Sequence, residues 1–150
     1  LQAQALIQQV AEEIQSLAHK QIASVVTRCL KTVFGEEGGY EFRINFKKAR
    51  GKTEAELVFV RDGMEIDPVD ASGGGVVDLA SFSLRLACLM LAVPKKRRLL
   101  VLDEPFKHLS KQYRPIVREL LTTLAKEFNI QMLIVTHSQE LICGKVIEII

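Results

Sequence analysis

The segment from Leu99 to Pro105, LLVLDEP, constrains the fold of this chain more than any other. A run of apolar residues follows basic residues and leads into Asp103, Glu104 and a proline, a pattern typical of a short strand buried on both faces. Such a strand delivers its carboxylates to its carboxyl end, where open α/β sheets bind ligands. One carboxylate can serve a Mg²⁺ ion while the next positions a water molecule, the arrangement that nucleotide hydrolysis needs.

Two further motifs flank this strand along the chain. Upstream, a glycine-rich turn formed by Ser72, Gly73, Gly74 and Gly75 opens a long apolar stretch. Downstream, IVTHS is a second buried-strand pattern, and it carries His137. The order of glycine turn, helix, strand, helix and strand predicts an α/β domain with a mostly parallel sheet.

The N-terminal part of the chain has two different periodicities. In residues 1–34 the apolar spacing alternates between three and four, which predicts a helix. That helix is either the returning arm of a coiled coil or an ordinary surface helix, because two heptads fall short of the usual criterion. Residues 40–62 alternate with period two around a turn, which predicts an antiparallel hairpin with one wet face. The apolar positions of the helix are Ile7, Val10, Ile14 and Leu17.

Composition narrows the class of protein further. The net charge of +2 gives no global nucleic-acid signature, so any DNA contact must rest on local basic clusters. The three cysteines show no CxxC spacing, which favours a reducing, cytoplasmic setting, and we expect Cys88 to be a small buried hydrophobe. The apolar stretch from Val76 to Val93 is interrupted by polar and charged residues, which favours a buried core helix over a membrane span. Since Leu1 is not a methionine, we expect a fragment of a longer protein.

In this order, the motifs resemble the C-terminal lobe of an ABC-type ATPase head, a P-loop NTPase-like fold. The resemblance is to the SMC and double-strand-break-repair branch, which includes phage recombination ATPases. It covers residues 64–150 by motif, and it extends to residue 1 if the N-terminal helix is a coiled-coil arm. It implies an arm at 1–34 and a lobe at 35–150, with a hairpin at 40–62, a signature loop at 71–76, an Asp-Glu strand at 98–105 and a His strand at 131–137.

The resemblance also implies roles for individual residues. Asp103 would hold Mg²⁺, Glu104 would orient or deprotonate the attacking water, and His137 would reach the γ-phosphate of ATP. The signature loop would close in trans over ATP held by a second head, through its glycine backbone and the following helix N-terminus. The residues of that loop are Ser72, Gly73, Gly74 and Gly75.

This chain departs from the family pattern in places. Ala71 stands where the family usually has Leu, Gly75 where it has Gln or Glu, and Ser110 where it commonly has Asp at the end of the loop after the Asp-Glu strand, the D-loop. A P-loop is missing, since Gly51-Lys52-Thr53 lacks the required upstream glycine and has Phe46 there instead. We therefore expect ATP to need an N-terminal P-loop lobe, from the same chain or a partner chain, and we expect this chain alone to be inactive.

The resemblance favours an ATPase of DNA repair, recombination or chromosome organisation, acting as a dimer of heads. Its expected partners are a second head and DNA, with a nuclease subunit left open, and no membrane is expected. The expected location is the nucleoid or, for a phage protein, the host cytoplasm. Two basic clusters, 43–52 and 95–98, are either DNA contacts or solvated loop charge. The alternative is a hydrolysis-deficient, SMC-like structural clamp or bridging module. The helical N-terminus disfavours a transporter subunit.

Overall fold

The computed structural model describes residues 2–36, 39–49, 52–68 and 73–148. These residues form three α-helices and five strands, with 3₁₀ turns at Lys111–Tyr113 and Gln139–Leu141. The chain is therefore mixed α/β, as predicted. In chain order the elements are α1 (Gln2–Phe34), β1 (Glu41–Ala49), β2 (Lys52–Arg61), β3 (Met64–Ile66), α2 (Gly74–Leu91), β4 (Leu99–Asp103), α3 (Arg114–Glu127) and β5 (Gln131–Val135).

The predicted antiparallel hairpin is present and is extended by a strand that the pattern did not predict. β1 and β2 pair from Glu41 opposite Val60 to Ala49 opposite Lys52. After a turn at Asp62 and Gly63, both with positive φ, β3 pairs with the end of β2. Positive φ at both central residues matches the twist of a two-residue hairpin turn, so β2 and β3 are joined by a tight turn.

One face of the hairpin packs on the second half of α1. The backbone N–H of Phe42 donates to the hydroxyl of Thr27 at 3.0 Å, and the rings of Phe42 and Phe59 lie 5.8 Å apart. This contact joins the hairpin to the core of the molecule, which also includes α2, α3 and the inner face of β4 and β5. The largest fully buried side chains are Phe59, Phe106, Leu30, Leu79, Leu86, Leu109 and Leu121.

The first half of α1 extends away from this core. Its apolar side chains are exposed, with Ile7 at 70%, Ile14 at 62% and Leu17 at 61%. The helix ends at Gly35, whose φ of +86° and bond from its N–H to the Lys31 carbonyl form a left-handed cap. An exposed apolar seam on a projecting helix is what a coiled-coil arm without its partner helix looks like, so the arm remains our prediction.

Helix α2 is long and apolar enough to cross a membrane, but it lies in the core. Its buried residues include Leu79, Phe82 and Leu86, on the side that faces α1 and the rest of the core. The prediction that Cys88 is buried was wrong, because Cys88 points away from that side and is exposed. The buried cysteine is Cys29 on α1, and burial raises the pKa of its thiol.

Strands β4 and β5 form a parallel pair, in register from Leu99 opposite Gln131 to Asp103 opposite Val135. The prediction that these strands are buried on both faces was wrong. Their inner face packs on the core through Leu102 and its neighbours, whereas Val101 is 60% exposed and Leu133 is 54% exposed on the outer face. The apolar pattern was read correctly, but within this chain the described residues cover only one of the two faces.

Candidate functional site

The carboxyl ends of β4 and β5 bring Glu104 and His137 into contact. The backbone N–H of Glu104 donates to the Val135 carbonyl at 2.8 Å, which extends the parallel ladder by one step past β4. The Glu104 carboxylate then accepts from the backbone N–H of His137 at 3.0 Å, and its Oε1 lies 2.9 Å from the ring Nδ1. The acid and the imidazole that the sequence pattern singled out therefore form one pair at the sheet edge.

The segment after β5 surrounds the other carboxylate oxygen. The Thr136 hydroxyl lies 3.4 Å from Oε2 of Glu104, and it accepts the backbone N–H of Ser138 at 3.1 Å. The hydrogen bond from His137 is the main cause that lowers the pKa of Glu104, so the carboxylate is ionised at neutral pH. The ring of His137 stays 84% exposed, so a phosphate-sized ligand can reach it.

Asp103 ends β4 on its outer face, together with the exposed Leu99 and Val101. Among the described residues, no group of three or more His, Cys, Asp or Glu side chains could hold a metal ion. A single carboxylate still suits Mg²⁺, which is usually bound by one or two carboxylates together with substrate phosphates and waters. Asp103 therefore fits a magnesium site only where a nucleotide supplies the other ligands.

The backbone around the pair is in an unusual conformation. Glu104 has a φ of 42° and Phe106 a φ of 64°, a region that side-chain-bearing residues rarely adopt. Phe106 is nonetheless 1% exposed, and its ring packs edge-on against Phe82 of α2 at 5.4 Å. Such strain persists where the surroundings enforce it, and it clusters at functional sites. Here the buried Phe106 ring fixes the loop that carries Glu104.

The glycine-rich turn forms the N-terminus of α2. Gly73 is the N-cap with a φ of 71°, and its carbonyl accepts the N–H of Val76 at 3.1 Å. Gly74 and Gly75 belong to the first turn of the helix, and Ser72 lies outside the described residues. A Cβ added at Gly74 would lie 2.6 Å from the Cβ of His108, so this glycine is required by a close approach.

His108, for which the sequence offered no partner, contacts Asp78 on α2. Its backbone N–H donates to the Asp78 carboxylate at 2.9 Å, and its ring Nδ1 lies 3.3 Å from the other oxygen. The loop after β4 thus packs directly on the glycine turn. Between them lies an open pocket of 350 Å³, whose lining residues include Gly73, Gly74, Gly75, Arg61, His108 and Ser110.

The predicted site residues therefore form two groups. Glu104 and His137 share the edge of the parallel pair, with Asp103 beside them, whereas the glycine turn lines a separate pocket with His108 and Ser110. Sequence reasoning missed Asp78 and Arg114, which connect these parts over long chain separations. A charged residue inside an apolar helix was the one available signal for Asp78.

The two basic clusters differ in how far their charges are paired. On the hairpin, Arg43 forms an ion pair with Glu41 and Lys47 with Glu56, so both cations of this cluster whose side chains the structure describes are neutralised locally. Arg98 donates to the Phe128 carbonyl at 2.6 Å and so caps the end of α3. Arg50 lies outside the described residues. Among the described side chains of the two clusters, Lys95, Lys96 and Arg97 are exposed and form no ion pair.

The domain is mixed α/β, and the carboxyl end of its parallel strand pair is where open α/β sheets bind ligands. No protein-family model matches the chain, and no curated protein matches it in sequence. Among solved structures, it is similar to SMC ATPase head domains, and its fold is consistent with the C-terminal lobe of such a head.

Three of these structures illustrate the match. The SMC head domain from Thermotoga maritima is 20% identical with a TM-score of 0.57, over 87% of this chain and 43% of that one. The Pyrococcus yayanosii Smc head with a coiled coil and joint is 17% identical with a TM-score of 0.63, over 91% and 26%. A structure from work on ATP-driven dimerization and DNA stimulated activation of SMC ATPases is 16% identical with a TM-score of 0.63, over 86% and 74%. The chain thus spans less than half of two of these three structures.

Proposed function

We propose that this chain is the C-terminal part of an SMC-like ATPase head, which completes an ATP site at a head–head dimer. Binding and hydrolysis of ATP would then be coupled to DNA repair, recombination or chromosome organisation. The observation that carries the proposal is the Glu104–His137 pair at the carboxyl edge of a parallel strand pair. The similarity to SMC ATPase heads supports the same assignment from the fold.

The uncovered outer face of the parallel pair supports a missing N-terminal lobe. Parallel sheets occur almost only with both faces covered, and two strands alone make a marginal sheet. Here Val101 and Leu133 are more than half exposed. An N-terminal lobe with a P-loop, from the same or a partner chain, would cover this face and add strands to its open edges. Asp103 lies on that same face and would be brought to the bound phosphates.

Within such a head, this chain's residues would act as follows. Glu104, whose lowered pKa keeps it ionised, would orient the attacking water and accept its proton as the reaction proceeds. His137, whose ring is exposed, would turn from Glu104 toward the γ-phosphate when ATP is present. Asp103 would hold Mg²⁺, which supplies charge neutralisation at the β- and γ-phosphate oxygens when bound.

The glycine turn would serve the ATP site of the opposite head. Backbone amides at the N-terminus of α2 can bind a phosphate, and the adjoining pocket is open to a partner. One similar structure comes from work on ATP-driven dimerization of SMC ATPases, which supports a head–head dimer here. Gly75, which departs from the family pattern, is explained by packing, because a Cβ there would lie 3.0 Å from Leu109 Cα.

Arm and DNA contacts complete the proposal. The exposed seam of α1 would pair with an outgoing helix to form the coiled-coil arm. DNA would be bound at the exposed 95–97 run rather than at the hairpin, whose cations are partly neutralised. Work on a similar structure describes DNA stimulated activation of SMC ATPases, which supports a DNA partner. No described contact supports a nuclease subunit.

The test is Glu104→Gln in a complete head, made by joining this chain to an N-terminal lobe with a P-loop. We expect ATP-dependent dimers to persist while hydrolysis falls by about 100-fold or more, because a positioned general base contributes that much. Glu119→Gln on the exposed side of α3 is the matched control and should hydrolyse ATP normally.

Two outcomes would contradict parts of this proposal. Unchanged turnover in Glu104→Gln would remove Glu104 from its role. A wild-type head that dimerises with ATP but never hydrolyses it would instead establish the hydrolysis-deficient clamp, the alternative that the substituted positions Gly75 and Ser110 leave open.

A further inference from the structure

One arginine outside both groups of site residues lies between them. Arg114 begins α3, and its side chain is only 17% exposed. Its Nε donates to the Leu109 carbonyl at 3.0 Å, and its Nη1 donates to the Ser138 hydroxyl at 3.1 Å. One guanidinium therefore holds the loop after β4 and the segment after β5 at the same time.

Each end of this connection leads to one of the two groups. Leu109 sits between His108 and Ser110, which line the glycine pocket, and it is 2% exposed. Ser138 follows His137 directly and is itself buried at 7% exposure. A shift of the loop at the glycine pocket that keeps the Leu109 bond would therefore move the guanidinium, which contacts the serine next to His137.

A carboxylate completes the arginine's surroundings. The Ser138 hydroxyl donates to Glu140 at 2.8 Å, and Arg114 Nη1 lies 3.5 Å from the same carboxylate oxygen. With both bonds made, the Ser138 hydroxyl accepts from Arg114 and donates to Glu140. These bonds orient the Ser138 side chain, and Ser138 directly follows His137 along the chain.

We propose that Arg114 is a positioning residue that couples the glycine pocket to the Glu104–His137 pair. Docking of a second head on the pocket and on the loop 106–110 would be transmitted through the two bonds of the guanidinium to Ser138. His137 would reach its working position only when that loop is docked, so hydrolysis would depend on dimer formation. This inference rests on the proposed function, because it assigns Arg114 a task within the same site.

Arginine is suited to this task in a way that lysine is not. Its planar fork donates from two nitrogens in fixed directions, whereas a lysine ammonium is a single point that reaches one acceptor well. Arg114→Lys keeps the positive charge beside Glu140 but cannot make both bonds. The substitution therefore separates the coupling from the charge.

The experiment compares Arg114→Lys with wild type in the complete head, with Arg118→Lys one turn along α3 as the matched control. Arg118 is exposed and should leave every measured property unchanged. For Arg114→Lys we expect kcat for ATP hydrolysis to fall about tenfold, the effect of losing one charged hydrogen bond that positions a reacting group. We expect KM for ATP and ATP-dependent dimer formation to change less than about twofold, since the residues of the glycine pocket and of the loop 106–110 are themselves unchanged.

Two further variants keep the inference falsifiable if Arg114→Lys folds poorly. Ser138→Ala removes only the serine hydroxyl and should also lower kcat, and the double variant should lower it no further, because both changes cut the same connection. Independent, multiplying losses would overturn the proposal. So would a folded Arg114→Lys head with wild-type kcat, or a kcat that falls only in proportion to lost dimer.

The Glu104→Gln head separates this inference from the proposed function. If Glu104→Gln abolishes hydrolysis while both Arg114→Lys and Ser138→Ala leave kcat intact, the coupling is wrong and the ATPase assignment stands. If Glu104→Gln has no effect, the assignment of the site fails first, and the coupling fails with it.

Discussion

The hairpin and the parallel pair differ in how much of their apolar surface is covered by other parts of this chain. β1, β2 and β3 form an antiparallel sheet whose inner face is packed on α1 through Phe42 and Phe59. β4 and β5 have one packed face and one exposed apolar face, and within the described part of the chain each strand has an unpaired edge. The hairpin is covered where Phe42 and Phe59 meet the core, although Phe46, Leu57 and Met64 stay exposed, whereas the pair that carries the candidate catalytic residues has a whole apolar face exposed.

This difference has a physical origin in the two kinds of sheet. An antiparallel hairpin alternates apolar and polar residues, so it can leave one face in water at no cost. A parallel pair is apolar on both faces and needs cover on each. The residues proposed for catalysis thus lie on the element whose outer face is left for another lobe to cover. Assembly of the head and assembly of the ATP site would be the same event.

The largest expected effect tests this contrast in stability. Phe59→Ala, in the hairpin, should lower the free energy of unfolding of this chain by about 3–5 kcal/mol, because Phe59 is 1% exposed. Leu133→Ala, on the outer face of the parallel pair, should lower it by about 1 kcal/mol or less, because that side chain is already half exposed. Chemical denaturation of the two variants measures both values.

Leu102→Ala is the control for this comparison. Leu102 lies on the inner face of the same parallel pair at 3% exposure, and its loss should cost about 2–5 kcal/mol. Equal costs for Leu133→Ala and Leu102→Ala would break the contrast, since they would mean that the outer face is covered within this chain.

Most of the fold could be predicted because its signals are local. The period of two over 40–62, the glycine turn before an apolar run and the LLVLDEP pattern each depend on neighbours along the chain. β3 was not predicted, because three residues after a tight turn carry too little periodicity. Burial of Val101 and Leu133 could not be predicted correctly either, because a strand's pattern reports which faces are apolar and not which part of the protein covers them.

The site could be predicted in part, for the same reason. Glu104 and His137 follow strands that a parallel sheet brings to one edge, so their proximity follows from topology. The contacts of His108 with Asp78 and of Arg114 with Ser138 join residues 30 and 24 positions apart. Nothing in the residues around either partner specifies such a pairing, since it depends on how α2 and α3 pack on the loop after β4.

A smaller effect on stability is expected where the glycine turn packs on the loop that follows β4. The packing of the glycine turn on the loop after β4 is complete in this chain, even though the outer sheet face is not. Gly74→Ala should therefore lower the free energy of unfolding by about 1–3 kcal/mol, because its new Cβ would lie 2.6 Å from the His108 Cβ. Thermal or chemical denaturation of this chain measures the change.

The control for Gly74→Ala removes the atom that it meets. In a His108→Gly background the Cβ of residue 108 is gone, and Gly74→Ala should then be neutral or stabilising, since alanine favours the helix. If Gly74→Ala is harmless in the wild-type chain, the turn and the loop do not pack as closely as the structure has them.

The smallest effect concerns the ionisation of Glu104 in this chain without any added lobe. The hydrogen bond from His137 favours the carboxylate, so the pKa of Glu104 lies below the ordinary value for glutamate. His137→Ala should raise that pKa toward the ordinary value, and an NMR titration of the side-chain carboxyl measures the change. Because the pKa is lowered in the folded state, the stabilisation from this pair is present at neutral pH. It is lost as the pH falls through the folded-state value.

Glu140 serves as the internal reference in the same titration. Its pKa is also lowered, but by its own backbone N–H and by Ser138 rather than by His137, so it should not move in His137→Ala. A Glu104 value that is equally unmoved would mean that the acid and the imidazole do not meet until another lobe arrives. The parallel strands would then lack the candidate site as well as a covered outer face. The contact between Glu104 and His137 would have to be formed by the added lobe rather than by this chain alone.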